Sequence, residues 1–238
     1  EGFGAIPFDG VVLAHPLSRG GRIYGEVTVS RFGGDRYYLL SAAAAELRDL
    51  DLLAPMAEKG LVSVAISFTS LDRQLSRVME PRCAAPHRRL DAMRELSSAG
   101  VPVTAMTAPL IPALNEPELE HLLEAAADAG AKRAGYVLLR LPLEIAGLFT
   151  EWLEAHYPDR AKRVMSLLRG MHSGQDYRSE WQVRQRGDGP YAQLIAARFR
   201  NASRRLGLNS ARTSLRTDLF RVPPRKDHGS QMGLFDDP

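Results

Sequence analysis

The chain has one cysteine, Cys83, in 238 residues, only 7% aromatic residues, and no long apolar run. A lone cysteine excludes a disulfide framework and fits a reducing cytoplasm. No stretch approaches the roughly 18 apolar residues that a membrane-spanning helix needs, and no signal-peptide pattern is visible. The six histidines, His15, His87, His121, His156, His172 and His228, are scattered and lack the i, i+4 spacing of a zinc helix. A G-x-S-x-G elbow and a phosphate-binding loop are both absent. The first residue is Glu1 rather than Met, so the chain is expected to be a fragment.

What is present is ordinary core material with an uneven charge. Hydrophobic residues make up 45%, enough for one α/β domain with a tail. The net charge is only +3, yet residues 160–226 hold 16 Lys or Arg against 4 Asp or Glu. That surplus suits a nucleic-acid or phosphate partner, and equally a solvated helical face with a basic tail.

The organising stretch is 61–116. Leu61–Thr69 (LVSVAISFT) is almost unbroken apolar sequence rich in Val and Ile, the pattern of a strand buried on both faces in a parallel sheet. A helix is expected from Leu71 with Asp72 capping it, and a second from Pro86 to Ser98, stopped at Gly100. Val101–Ala108 is the next strand and should break at Pro109 and Pro112. Strand, helix and strand in this order make a right-handed crossover. The polar ends, Ser67 to Ser70 and Thr107 to Asn115, then lie at the carboxyl edge of the sheet, where such folds build their sites.

Before this unit, Arg22–Val29 and Arg36–Leu40 have strand-like composition with glycine pairs at their turns, which suits one or two hairpins or a poorly ordered leader. Residues 41–59 read as helical, kinked near Pro55. After it come an amphipathic helix, Glu116–Ala129, with Leu119, Leu122, Leu123 and Ala126 on one stripe and Asn115 as its cap, and a third strand, Ala134–Leu141. Helices follow at 144–156, with Phe149, Trp152 and Leu153 as the buried face, at 159–170 and at 189–206. From Asn209 the chain is polar, Arg-rich and Pro-containing, and reads as a flexible tail.

Three groupings carry possible chemistry. Cys83 follows Arg82 and precedes a helix start, which suits a lowered thiol pKa or simply a surface cysteine. Glu80-Pro81-Arg82, with Arg88 and Arg89 beyond, offers either a guanidinium fork for a carboxylate or phosphate, or an ion pair that locks the junction. Pro109–Glu116 (PLIPALNE) is either a rigid loop that receives an adenine or amino-acid moiety, or a plain connector.

The succession ISFTSLD, MEPR-x3-P-x2-RL, AGVPV, PLIPALNE, AGYVLLRLPLE, LF-x2-WL and GPYAQLIAARF resembles the carboxyl-terminal half of radical SAM proteins. The subgroup is the bacterial DNA-repair photolyase-like set related to spore photoproduct lyase. The resemblance spans about Leu47 to Leu208. It implies a partial (β/α) barrel at 47–156, a helical C-terminal extension at 157–208 and a flexible tail at 209–238, with 1–46 an unassigned leader outside the match. It also implies S-adenosylmethionine and a [4Fe–4S] cluster for lyase-like radical chemistry, with nucleic acid as the expected substrate. The family's CxxxCxxC is absent here, so the chain alone is expected to be inactive and to lack metal ligands. By resemblance Ser67 and Thr69 touch the SAM ribose or amino acid, Pro109 to Asn115 lie along the adenine, and Glu80 and Arg82 shape the carboxylate side.

Finally, Gln231-Met232-Gly233-Leu234-Phe235 resembles the pentapeptide by which bacterial proteins dock on the DNA polymerase sliding clamp, with Gln231, Leu234 and Phe235 as anchors. Besides the radical SAM reading, a non-catalytic nucleic-acid- or clamp-binding module and a cofactor-free α/β enzyme using Glu80–Arg82 remain open.

Overall fold

The structure is a computed structural model that describes residues 49–81, 83–180, 183–211 and 214–219, together with the backbone of 14–19, 22–31 and 37–41. Six strands form one sheet in the order β1-β2-β3-β4-β5-β6. β1 (Ala14–Arg19), β2 (Arg22–Arg31) and β3 (Tyr37–Ser41) are antiparallel neighbours, as the strand-like composition and glycine turns suggested. From β3 onward the pairing is parallel through β4 (Val64–Ser67), β5 (Val103–Leu110) and β6 (Arg133–Leu138).

Helices carry the chain between the parallel strands: α1 (Leu50–Glu58) before β4, α2 (Arg73–Met79) and α3 (Pro86–Ser98) before β5, α4 (Leu119–Asp128) before β6. Their ends follow local chemistry. Asp72 caps α2, its Oδ1 accepting from the Gln74 amide at 2.7 Å and the Leu75 amide at 3.3 Å. α4 ends at Gly130, whose φ of +90° suits only glycine without strain. A Cβ there would also lie 2.4 Å from Ser97 Oγ, so the same glycine lets α3 and α4 approach. Leu119, Leu122, Leu123 and Ala126 are all buried, as the stripe predicted.

The two sheet faces differ in kind. Val64 and Ile66 of β4 with Phe68 just after it, Val103 and Ala105 of β5 and Leu138 of β6 point into the apolar core with the helices. The alternate positions, Ala65, Ser67, Thr104, Met106, Gly135 and Val137, lie on the other face and outside that core. A parallel sheet with one face sealed by helices and one mixed face has its chemistry on the mixed one.

The rest of the chain wraps the outer layer with α5 (Ile145–His156), α6 (Pro158–Gly170), the short α7 (Val183–Arg186) and α8 (Gly189–Arg205). Of the predicted α5 face only Leu153 is fully buried, while Phe149 and Trp152 stack on each other half-exposed at 5.6 Å. Two expectations are corrected. β5 does not break at Pro109 but runs to Leu110, because a register shift between Thr107 and Leu110 takes up the residue that cannot donate to the ladder. The stretch after Asn209 is not wholly a loose tail: the Asn209 amide brackets the backbone of Ala134 (3.1 and 3.0 Å), and the Arg216 amide donates to Gly60 O at 2.9 Å. No helix among the described residues is long and apolar enough to cross a membrane.

Candidate functional site

The carboxyl ends of β4 and β5 are joined by side chains as well as by the ladder. Ser67 Oγ donates to Ala108 O at 3.0 Å. Ser67 O in turn accepts from Arg89 Nη1 at 2.8 Å. Arg89 is 5% exposed and uses its whole fork, giving Nε to Ala84 O (2.9 Å) and Nη2 to Glu80 Oε2 (2.6 Å). Glu80 Oε2 also accepts from Thr69 Oγ1 at 3.1 Å. A buried guanidinium is tolerated only when its charge is matched and its donors are used, and here both conditions hold.

The loop after β5 is held as firmly. Asn115 is fully buried and does not cap the following turn, contrary to expectation. Its Oδ1 accepts from the Ile111 amide at 2.6 Å, and its Nδ2 donates to Thr69 O (2.8 Å) and Pro109 O (2.9 Å). The reason is accounting. Three backbone groups turned inward at this loop have no water to bond, so their need outweighs that of an exposed helix start. Glu118 ties the same corner, accepting from Ser70 Oγ and the Leu71 amide, both at 2.8 Å. Ala113 sits at φ +56° in this loop, a conformation that costs an L residue energy, and the carboxylate of buried Glu116 accepts from its amide at 3.4 Å. Glu116 is itself pinned by Arg198 of α8 and by Tyr191 Oη at 2.9 Å.

The predicted site residues therefore fall into two groups. Ser67, Thr69, Glu80, Pro109 and Asn115 are brought together at one sheet edge, whereas Arg82 lies outside the described residues. Within that edge, Thr69 and Asn115 are buried in the network and shape the loop. Ser67, Glu80, Met106, Ala108 and Pro109 stay partly open. Among described residues, the charged partner of Glu80 is Arg89, nine positions on. Sequence reasoning noted Arg89 only as a neighbour of the turn and missed Glu116, Glu118 and Arg198. A buried acid inside an apolar loop is the signal that was available for Glu116.

Beside Ser67 the register sets Met106 and Gly135 abreast. A Cβ on Gly135 would fall 2.8 Å from Met106 Sδ, so the bare glycine is what lets the thioether lie across the face. The open side thus offers a hydroxyl, a carboxylate oxygen (Glu80 Oε1) that accepts from no described residue, and a thioether with two small apolar neighbours. That set fits a ligand with an ammonium or hydroxyl part and a flat apolar part.

Comparison with known proteins places this edge in a family context. Residues 19–126, from the end of β1 into α4, match the family model described as Radical SAM superfamily. The match begins inside the segment 1–46 that the sequence reading left unassigned.

Among particular proteins, the chain is 34% identical over 124 residues to uncharacterised proteins of Mycobacterium bovis and Mycobacterium tuberculosis, covering 51% of this chain and 36% of theirs. A protein of Acidianus two-tailed virus is 26% identical over 102 residues, 41% of this chain and 33% of its own. The chain spans about a third of the length of the curated relatives it matches.

The family implies S-adenosylmethionine and a [4Fe–4S] cluster. The open edge has the chemistry that the first asks for, a hydroxyl and a carboxylate at Ser67 and Glu80 and apolar groups at Met106, Ala108 and Pro109. The cluster does not fit. The sequence holds one cysteine, which is exposed, and the described residues contain no group of three His, Cys, Asp or Glu able to hold a metal. Three thiolates are needed to anchor such a cluster.

Proposed function

We propose that this chain is the S-adenosylmethionine side of a radical SAM protein of DNA-repair photolyase-like type, cytoplasmic, with nucleic acid as its substrate class. The observation that carries the reading is the mixed sheet face at the ends of β4 and β5. It lies inside the matched region, and the Arg89, Asn115 and Glu118 bonds hold it rigid. Rigid placement of a ligand's reacting part is what such chemistry asks of a protein. The sequential order of parallel strands β3 to β6 supports a partial (β/α) barrel. S-adenosylmethionine, when bound, supplies the adenosyl group, and no step through a cluster is assigned to residues of this chain.

Isothermal titration of the full chain with S-adenosylmethionine tests this. Binding is expected without added iron, and Ser67→Ala should weaken it several-fold by removing the hydroxyl on the open side. Absence of heat at millimolar ligand would overturn the reading.

A second reading, a nucleic-acid- or sliding-clamp-binding module without catalysis, is favoured by the single cysteine and the basic segment 160–226. Under it the chain binds nucleic acid but not S-adenosylmethionine.

A further inference from the structure

Helix α8 sorts its arginines by partner. Arg198 and Arg205, seven positions apart and so on one face, are neutralised from α4 and the turn before it. Arg198 pairs with Glu116 and Glu120, and Arg205 with Glu124. Arg200 and Arg204, spaced i, i+4 on a different face, are exposed and form no ion pair with a described residue.

Beside Arg200, the ring of Phe199 meets that of Tyr136 on β6, centroids 4.9 Å apart and planes tilted by 55°. Both rings are half-buried. α7 reaches the same strand from another direction. A Cβ on Gly187 would lie 3.1 Å from Leu138 Cδ1, which sets the exposed Arg186 next to this part of β6. Arg186 likewise has no ion pair with a described residue. Burial raises the Tyr136 phenol above its ordinary value, and the charges of Arg186 and Arg200 pull against that rise. In the sheet, β6 is the last strand, and Asn209 covers its outer edge at Ala134.

We infer that Tyr136 and Phe199, flanked by Arg186 and Arg200, form a binding surface for single-stranded nucleic acid. The inference deepens, and rests on, the nucleic-acid part of the function proposed above. Aromatic faces stack on bases that are not already stacked in a duplex, and adjacent guanidiniums take the phosphates on either side. Exposed arginines without an ion pair to a described residue, beside half-buried rings, match that ligand in charge and in shape. An acidic peptide would use the arginines alone.

Fluorescence anisotropy of a labelled twelve-residue oligothymidylate with the full chain tests it. The double variant Arg186→Gln, Arg200→Gln should weaken binding about ten-fold at low salt. It should also flatten the slope of log affinity against log salt by about 1.4, two phosphates at about 0.7 each. Tyr136→Leu should weaken binding about ten-fold with the slope unchanged, and Tyr136→Phe should bind nearly as the parent does. Both arginines are exposed, so their removal keeps the fold, and Tyr136→Phe controls for packing.

If the parent chain does not bind in dilute buffer, the nucleic-acid reading falls. If it binds but only the triple change Arg160→Gln, Lys162→Gln, Arg163→Gln on α6 weakens it, that reading stands and this surface falls. Equal affinity for a duplex of the same length, or equal displacement by polyglutamate, would also overturn the stacking surface.

Discussion

Arg89 shows what one side chain does for this site. Its three guanidinium nitrogens donate to Ala84 O, Ser67 O and Glu80, so a single residue fixes the end of β4, the junction between α2 and α3, and the carboxylate at the open side. Removing it leaves a partly buried acid and two carbonyls unpaired. Arg89→Ala should therefore cost about 3 kcal/mol, read as a lower urea midpoint at unchanged slope. Arg89→Lys should recover less than half, because an ammonium cannot fork to three acceptors. Full stability in either variant would mean that the network is incidental. At this scale the sequence was legible in residue type and not in partnership. The Glu80 turn announced charge pairing, yet its described partner is set by how two helices meet, which local spacing does not encode. Asn115 before a Pro-Glu helix start looked like a cap for a sound local reason, and lost that role to buried backbone groups drawn from two distant strands.

The elements themselves were largely legible. β4, α2, α3, α4 and β6 stand close to their predicted positions because apolar period and end signals agree there. What local signals missed depended on contacts far along the chain: β5 continuing past Pro109, and Asn209 capping the edge of β6. The connection between α6 and α7 is the least regular element, and it buries His172 completely. Neither imidazole nitrogen has a hydrogen-bond partner among the described residues. Burial lowers the His172 pKa, with Asp188 pulling it up and Arg178 pushing it down. Because the folded value lies below the unfolded one, the unfolded chain takes up the proton first. Stability is therefore complete above the unfolded pKa of about 6.5 and declines as pH falls below it. Thermal midpoints should drop between about pH 7.5 and pH 5.5, and His172→Phe should flatten that part of the curve. A variant as pH-sensitive as the parent would assign the effect to other groups.

For the whole molecule, the basic segment is not one patch. Arg169, Arg178, Arg198, Arg205 and Arg216 pair with acids of the same chain, while Arg186, Arg200 and Arg204 are exposed and have no ion pair with a described residue. Gln231, Leu234 and Phe235 lie outside the described residues, so their role rests on sequence. We propose that they dock on the sliding clamp of DNA polymerase, which would bring the α/β domain close to the nucleic acid proposed as its partner. A Leu and a Phe entering an apolar pocket supply roughly 3–5 kcal/mol, and ordering a terminal segment consumes part of it. Micromolar affinity is the expected result. Since the anchors all lie within Gln231–Phe235, a peptide of the last ten residues should bind the purified clamp nearly as tightly as the full chain in calorimetry. Leu234→Ala with Phe235→Ala should abolish binding, while changes at Asp236 or Asp237 should matter little. Equal heats from the double-alanine peptide, or none from the parent at high micromolar concentration, would reduce the motif to coincidence and leave the arginines alone to find nucleic acid.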